Sequence, residues 1–156
     1  MPTLITTLHA SCDSRRAVEY KACLDINLGN SFFNSVKVIL ETDSDGKYGF
    51  LQGIEHNKLE IIQVNSRPFF TDLFAVANQC EHGEVVIVCN GDIYFDDCSQ
   101  IERAMEVSNN EFWTVSRYEE LPDGKWQLYH EAPIGSHDCW LFRSPLNLSQ
   151  SQYHPG

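Results

Sequence analysis

The stretch Glu84 to Asp97, EVVIVCNGDIYFDD, leaves the chain few ways to fold. Val85-Val86-Ile87-Val88, extended by Cys89, is too short for a helix and almost entirely β-branched, so it predicts a strand buried on both faces. Asn90-Gly91-Asp92 then places a permissive glycine and an acid at the carboxyl end of that strand, the edge where open α/β sheets bind ligands. Two readings of the turn stand side by side. Asn-Gly is a common hairpin signal, and an Asp beside it can bond its own backbone. Against that, Ile93-Tyr94-Phe95 is followed by Asp96-Asp97, so up to three carboxylates gather near a buried strand end. Oxygen-rich clusters of this kind suit hard cations such as Mg²⁺ or Mn²⁺ rather than zinc. If Asp97 or Cys98 instead caps a helix over Ser99 to Val107, Asp92 and Asp96 are left for the metal.

The flanking chain repeats the same alternation. Leu4 to Leu8 predicts a first strand, followed by a ligand-facing loop at His9-Ala10-Ser11. A helix from Ser14 carries Ala17, Val18, Ala22, Leu24, Ile26 and Leu28 at helical spacing and stops at Gly29-Asn30. Val36 to Leu40 is a second strand running into Glu41, and the acidic Asp43 to Gly46 reads as a solvated turn. Leu59 to Val64 is a third, ending at Asn65-Ser66-Arg67-Pro68. The helix after it would bury Phe70, Leu73, Phe74, Val76 and Ala77, with Thr71 as its cap.

Strand and helix alternating at this interval predict an α/β fold: a mostly parallel mixed sheet with helices on both faces. Beyond Val107 the pattern changes to short aromatic runs, Phe112 to Tyr118, Trp126 to His130 and Cys139 to Arg143, separated by Pro-Asp-Gly and Pro-Ile-Gly turns. These predict antiparallel strands at the sheet edge. One domain over 1–146 and a polar tail over 147–156 follow.

Composition narrows the function. A formal charge of −11 from 11 basic and 22 acidic residues disfavours nucleic acid and anionic membranes as partners. No apolar run approaches the roughly 20 residues of a membrane span, and the amino terminus lacks a secretory pattern, so a cytoplasmic location is expected. The six cysteines contain no C-x-x-C pair and are expected as reduced thiols; the scattered histidines make zinc improbable.

The acidic turn after the fourth strand, the Ala77-Asn78 helix end, Arg67-Pro68 after the third strand, and Ser136-His137-Asp138-Cys139-Trp140-Leu141-Phe142-Arg143 together resemble the nucleotide-diphospho-sugar transferases of the GT-A fold. More narrowly they resemble bacterial glycosyltransferase-like proteins. The resemblance implies a Rossmann-like sheet and a divalent cation, Mn²⁺ or Mg²⁺, held by Asp92 against the diphosphate of a nucleotide-sugar donor. Asn90 stands where many relatives carry the first acid of that turn, bringing a carbonyl but no charge. It further implies nucleotide contacts near His9 and Ser11, at Glu41 and at Arg67. Asp138 would be the base that takes a proton from a hydroxyl acceptor, with His137 as the adjacent alternative. Trp140 reads as core rather than as a sugar platform. Relatives continue past this point with a further acceptor-side segment, so a minimal or truncated member is expected, with a homo-oligomer as one way to complete its site.

The leading expectation is therefore a metal-dependent glycosyltransferase. A nucleotidyltransferase is the alternative enzyme, disfavoured because His9 to Arg16 contains no glycine and so no glycine-rich phosphate loop. A sugar-nucleotide-binding or assembly module without turnover is the third reading. A serine or cysteine hydrolase is weaker, since no G-x-S-x-G elbow occurs.

Overall fold

A computed structural model describes residues 1–8, 14–41, 51, 54–96, 101–128 and 138–146. Its frame is a six-stranded sheet in the order β3-β2-β1-β4-β8-β5, built from β1 (Thr3–Leu8), β2 (Ser35–Glu41), β3 (Leu59–Val64), β4 (Val85–Cys89), β5 (Phe112–Val115) and β8 (Cys139–Arg143). β1 pairs in parallel with β2 and β4, and β2 with β3. β8 runs antiparallel to both β4 and β5. The mostly parallel sheet with antiparallel carboxyl-terminal strands is the one the sequence predicts.

β4 is buried at every position, and its alternation divides the core. Val85, Ile87 and Cys89 join Leu4, Leu8 and Val36 on one face, where helix α1 (Ser14–Gly29) packs through Tyr20, Leu24 and Leu28. Val86 and Val88 join Ile5, Ile39 and Phe142 on the other, under Leu73, Val76 and Ala77 of helix α2 (Phe70–Ala77). Each such side chain, fully buried, contributes roughly 1.5–3 kcal/mol, which is why a strand without one polar residue holds the centre.

Several elements depart from the sequence reading. The buried stripe of α1 is Tyr20, Cys23, Leu24, Asn27 and Leu28, while Val18 is 70% exposed and Ala22 and Ile26 face outward. Positions i, i+3, i+4, i+7 and i+8 form one face of a 3.6-residue helix, and the expected apolar positions straddled two faces. α1 ends where the amide of Asn30 meets the carbonyl of Ile26 at 3.0 Å and Lys58 Nζ lies 2.8 Å from the Asn30 carbonyl, a cation at a helix carboxyl end.

Thr71 does not cap α2. The cap is Phe69, two residues earlier, and its amide donates to Asp72 Oδ2 at 2.7 Å. Phe70 is exposed and Phe74 half-buried, so the buried set of α2 is smaller than expected. Where an α-helix was expected to Val107, Ile101–Glu106 is 3₁₀, held by Arg143, whose guanidinium donates to the carbonyls of Met105, Val107 and Gly83.

The run from Phe112 to Tyr118 breaks at Ser116-Arg117. Phe112–Val115 stays in the main sheet, whereas β6 (Tyr118–Glu120) pairs with β7 (Trp126–Leu128) in a separate two-stranded ribbon. β8 is no edge strand; it lies between β4 and β5, so Trp140 is half-buried against Phe70, ring centroids 4.9 Å apart. Cys23, Cys80, Cys89 and Cys139 are free thiols. The expectations at His9, Ser11, Cys12, Asp43 to Gly46, Asp97, Cys98, His137 and the 147–156 tail lie outside the described residues.

Candidate functional site

One edge of the sheet collects the polar groups. The parallel strands β1 to β4 all finish there, at Leu8, Glu41, Val64 and Cys89. Because β8 is antiparallel to β4, it begins at that edge, with Asp138 immediately before it; β5, antiparallel to β8, ends there, with Arg117 two residues on. The chain moves outward from β1 to β2 and β3, then returns to β4 on the other side of β1. A reversal of that kind opens a crevice between the two strand ends, the usual ligand position in open α/β sheets.

Gly91 shows how closely β4 leaves past β1. A Cβ there would lie 2.3 Å from the Thr7 carbonyl oxygen and 2.9 Å from a Leu8 methyl. The glycine is required by proximity, since positive φ occurs among the described glycines only at Gly83 and Gly124. Its neighbour Asp92 is thereby delivered to the first turn of α1. Arg16 Nη1 lies 3.2 Å from Asp92 Oδ2 and 2.6 Å from Glu19 Oε2, with the guanidinium carbon 5.8 Å from the centre of the Tyr20 ring. Its hydrogen bond to Glu19 is the main reason its pKa rises above the ordinary value, and the charge on Asp92 adds to it. The Asp92 side chain keeps 30% of its surface exposed.

A second acid–base group stands across β4. Asn90 Nδ2 donates to Asp138 Oδ1 at 3.0 Å, and the Asn90 amide to the Asp138 carbonyl at 3.2 Å. Arg117 takes the other carboxylate oxygen through Nη1 and reaches Glu119 Oε1 through Nε and Nη2, at 3.0 and 2.7 Å. Burial works against the charge on Arg117, but the hydrogen bonds to Glu119 and Asp138 outweigh it and its pKa is raised. Asp138 is 19% exposed, with both oxygens engaged.

Beneath these groups lie three thiols. Burial pushes Cys23 up to about 11 and Cys139 up to about 12, and raises Cys89 well above its ordinary value. Protonated and covered, they are poor nucleophiles.

Of the expected site residues, the structure brings Asn90 and Asp138 into contact and sets Asp92 one turn away. Glu41 ends β2, half-buried, and Arg67 is exposed on the connector after β3; both stand on the same edge. Asp96 is exposed beyond Phe95, and among the described residues no three His, Cys, Asp or Glu side chains gather around a common point. Mg²⁺, however, is commonly held by one or two carboxylates with substrate phosphates completing its shell, and the Asp92 carboxylate with Asn90 Oδ1 offers oxygen donors of that kind.

Sequence reasoning passed over Arg16 and Arg117. Arg15-Arg16 occupies the first turn of α1, where a cation opposes the helix dipole by roughly 0.3–1 kcal/mol each. Such a pair in a chain of charge −11 was a legible signal. Four of the six arginines, Arg15, Arg16, Arg67 and Arg117, stand on this one edge.

No protein-family model matches the chain, and no curated protein matches it in sequence. Among solved structures it is similar to a 4-diphosphocytidyl-2C-methyl-D-erythritol synthase from Anaerococcus prevotii DSM 20548, with a TM-score of 0.51. The fold is GT-A-like. That similarity covers 91% of this chain and 70% of the synthase at 7% identity, so it is a likeness of architecture and not of side chains. No helix among the described residues is long and apolar enough to cross a membrane.

Proposed function

We propose that the chain is a nucleotidyltransferase: a phosphate oxygen of the acceptor attacks the α-phosphorus of a nucleoside triphosphate, and the bond to the departing pyrophosphate breaks. The donor would lie in the crevice between β1 and β4, its phosphates against the first turn of α1. There Arg16, with Arg15 beside it, supplies the positive charge that an acidic chain otherwise lacks, and charge aimed at a developing oxyanion lowers the barrier. Arg16 would exchange Asp92 for phosphate. A divalent cation held by Asp92 and Asn90 Oδ1 would neutralise charge on the donor phosphates.

The observation that carries this reading over glycosyl transfer is the engagement of both Asp138 oxygens, by Asn90 and by Arg117. A hydroxyl acceptor needs a base to take its proton, and Asp138 is the residue the sequence offers for that. A phosphate acceptor is already ionised at neutral pH and needs none. Asp138 is then a positioning residue that aims Arg117 at the acceptor. The similar synthase, whose name carries a diphosphocytidyl group, supports the same choice of reaction.

A thermal-shift screen of CTP, UTP, GTP and ATP, each with Mn²⁺ or with EDTA, tests the donor. At 100 times its Kd a ligand adds about 2.7 kcal/mol of apparent stability. CTP is the first candidate, and Mn²⁺ should enlarge its shift. If no triphosphate raises the midpoint while a nucleotide sugar does, the glycosyl reading replaces this one.

A further inference from the structure

We infer that Asn27 is a positioning residue for the donor site: by holding Ile93 to Phe95 along α1 it fixes where Asp92 stands against Arg16. The inference rests on the donor reading above for its consequence in binding.

Asn27 is 2% exposed, an amide inside an otherwise apolar helix face. Both of its functions are spent on one distant segment. Nδ2 donates to the Ile93 carbonyl at 3.0 Å, and Oδ1 accepts from the Phe95 amide at 3.0 Å, so the side chain pairs with the backbone as a neighbouring strand would. Asn30 adds a third bond, Nδ2 to the Phe95 carbonyl at 2.9 Å. With the backbone so held, Ile93 and Phe95 pack against the α1-side core.

Arg16 and Asn27 are eleven residues apart, close to three helical turns, so they share a face of α1 to within about 20° and are separated by about 16 Å of rise. Asp92 meets the first and Phe95 the second. Three extended residues span at most about 10 Å, and the long Arg16 side chain covers the remainder. The segment leaving β4 is therefore pinned to α1 at two points, and the distance between them is set by a rigid helix. Release the Asn27 end and the far side of the segment keeps the single Asn30 bond to Phe95, while Asp92 is held to α1 by an exposed ion pair, a contact that is weak in water. A loss of even 1 Å in such placement is enough to lower the benefit of an ion bridging acid and phosphate.

The sequence feature is visible in retrospect. Asn is a poor helix-interior residue because it competes for backbone bonds, and on a buried face it needs a partner. Here the partner is the stretch that follows the acidic turn.

The test uses the full chain with Asn27→Leu, Asn27→Ser and Asn30→Ala, each shown folded by circular dichroism, and CTP as the probe with Mn²⁺ or EDTA. Both Asn27 variants should weaken CTP at least tenfold with Mn²⁺ and by less than twofold in EDTA, because the donor's own contacts remain. Asn30→Ala should stay within threefold in both, which separates placement of Asp92 from general loosening. Amide exchange at Ile93 and Phe95, whose amides are bonded to Asn90 and Asn27, should accelerate at least tenfold in the Asn27 variants while Val86 and Val88 are unchanged. If Asn27→Leu does not fold, Asn27→Ser, whose hydroxyl can serve one of the two backbone groups, carries the measurement. A folded Asn27 variant with the full Mn²⁺ benefit of the wild type overturns the inference. Wild-type protein that binds CTP in neither condition overturns the donor reading instead, and unaccelerated exchange at Phe95 would then sink the clamp independently.

Discussion

The two aspartate–arginine pairs at the ligand edge are built differently. Asp92 and Arg16 join a strand end to a helix start, between parallel strands; the arginine divides itself between Asp92 and Glu19, and both partners keep much of their surface in water. Asp138 and Arg117 join two antiparallel strand ends, and the carboxylate is further tied to Asn90. The first pair can release its arginine to an anion at little cost, because exposed ion pairs contribute about 0–1 kcal/mol. Breaking the second leaves a largely covered carboxylate short of a donor, which costs more. The parallel half is thus suited to exchange partners with a ligand and the antiparallel half to hold its shape.

The largest expected effect attacks the junction between the halves. Gly91→Ala drives a Cβ into the Thr7 carbonyl, which belongs to the central strand and cannot swing aside. Overpacking usually costs about 1–3 kcal/mol, and a clash with backbone belongs at or above the top of that range. Gly124→Ala, where φ is +78° and nothing lies within 4 Å, should cost only about 1–2 kcal/mol from backbone strain. Urea midpoints of the two variants give the ratio directly, and equal losses would mean that β1 and β4 do not approach as closely as described.

Next in size is the response of the parallel half to ligand. Arg16→Ala should weaken CTP roughly 10- to 100-fold, corresponding to about 1.5–3 kcal/mol for a charge-assisted hydrogen bond. Asp92→Asn should remove most of the gain from Mn²⁺ while leaving affinity in EDTA unchanged or higher. Asp96→Asn should alter either by less than twofold. Isothermal titration of the three variants decides; an Asp96 effect as large as that of Asp92 would put the cation elsewhere on the loop.

The contrast between the halves was unevenly legible. The buried strand, the parallel order and the ligand edge could be read because β4 carries nothing but apolar residues and the strands before it alternate with helices, a pattern that covers both faces of a parallel sheet. Asn90, Asp92 and Asp138 were legible as acids and an amide at strand ends. The pairings were not. That Asp138 faces Asn90 depends on β8 entering between β4 and β5, and the sequence places its aromatic run at an edge because short, turn-bounded strands usually sit there. The α1 stripe was misjudged for a simpler reason: Val18 and Ile26 are more apolar than Asn27, yet the polar residue is buried, since its bonds to Ile93 and Phe95 satisfy it.

The thiols beneath the two halves differ in the same sense as the pairs above them. Cys23 lies under Asp92 with its pKa at about 11, and Cys139 adjoins Asp138 at about 12. At a fixed pH below both, the thiolate fraction of Cys23 is therefore the greater of the two, and iodoacetamide labelling followed by mass spectrometry should find Cys23 modified before Cys139. The same shifts set a pH limit. A thiol whose pKa is raised on folding holds its proton more tightly in the native state, so stability is retained below the ordinary value near 9 and lost as pH rises through 11 to 12. Urea midpoints that stay level across pH 9 to 11 would show these thiols to be less covered than their burial implies.

The smallest expected effect concerns Asp138 itself. Asp138→Asn keeps an oxygen that can accept from Arg117 or Asn90, and Arg117 retains Glu119, so the edge should lose no more than about 1 kcal/mol of stability. If Asp138 only aims Arg117, CTP affinity should stay the same and turnover with a phosphorylated acceptor should fall no more than about threefold. If it is instead the base for a hydroxyl acceptor, the same substitution removes a group used only in the transition state, and the rate should fall by about 10²–10⁴ with donor binding intact. The two outcomes differ by more than an order of magnitude on one variant. Single-turnover rates with donor saturating would show whether the antiparallel half holds the site in shape or takes part in its chemistry.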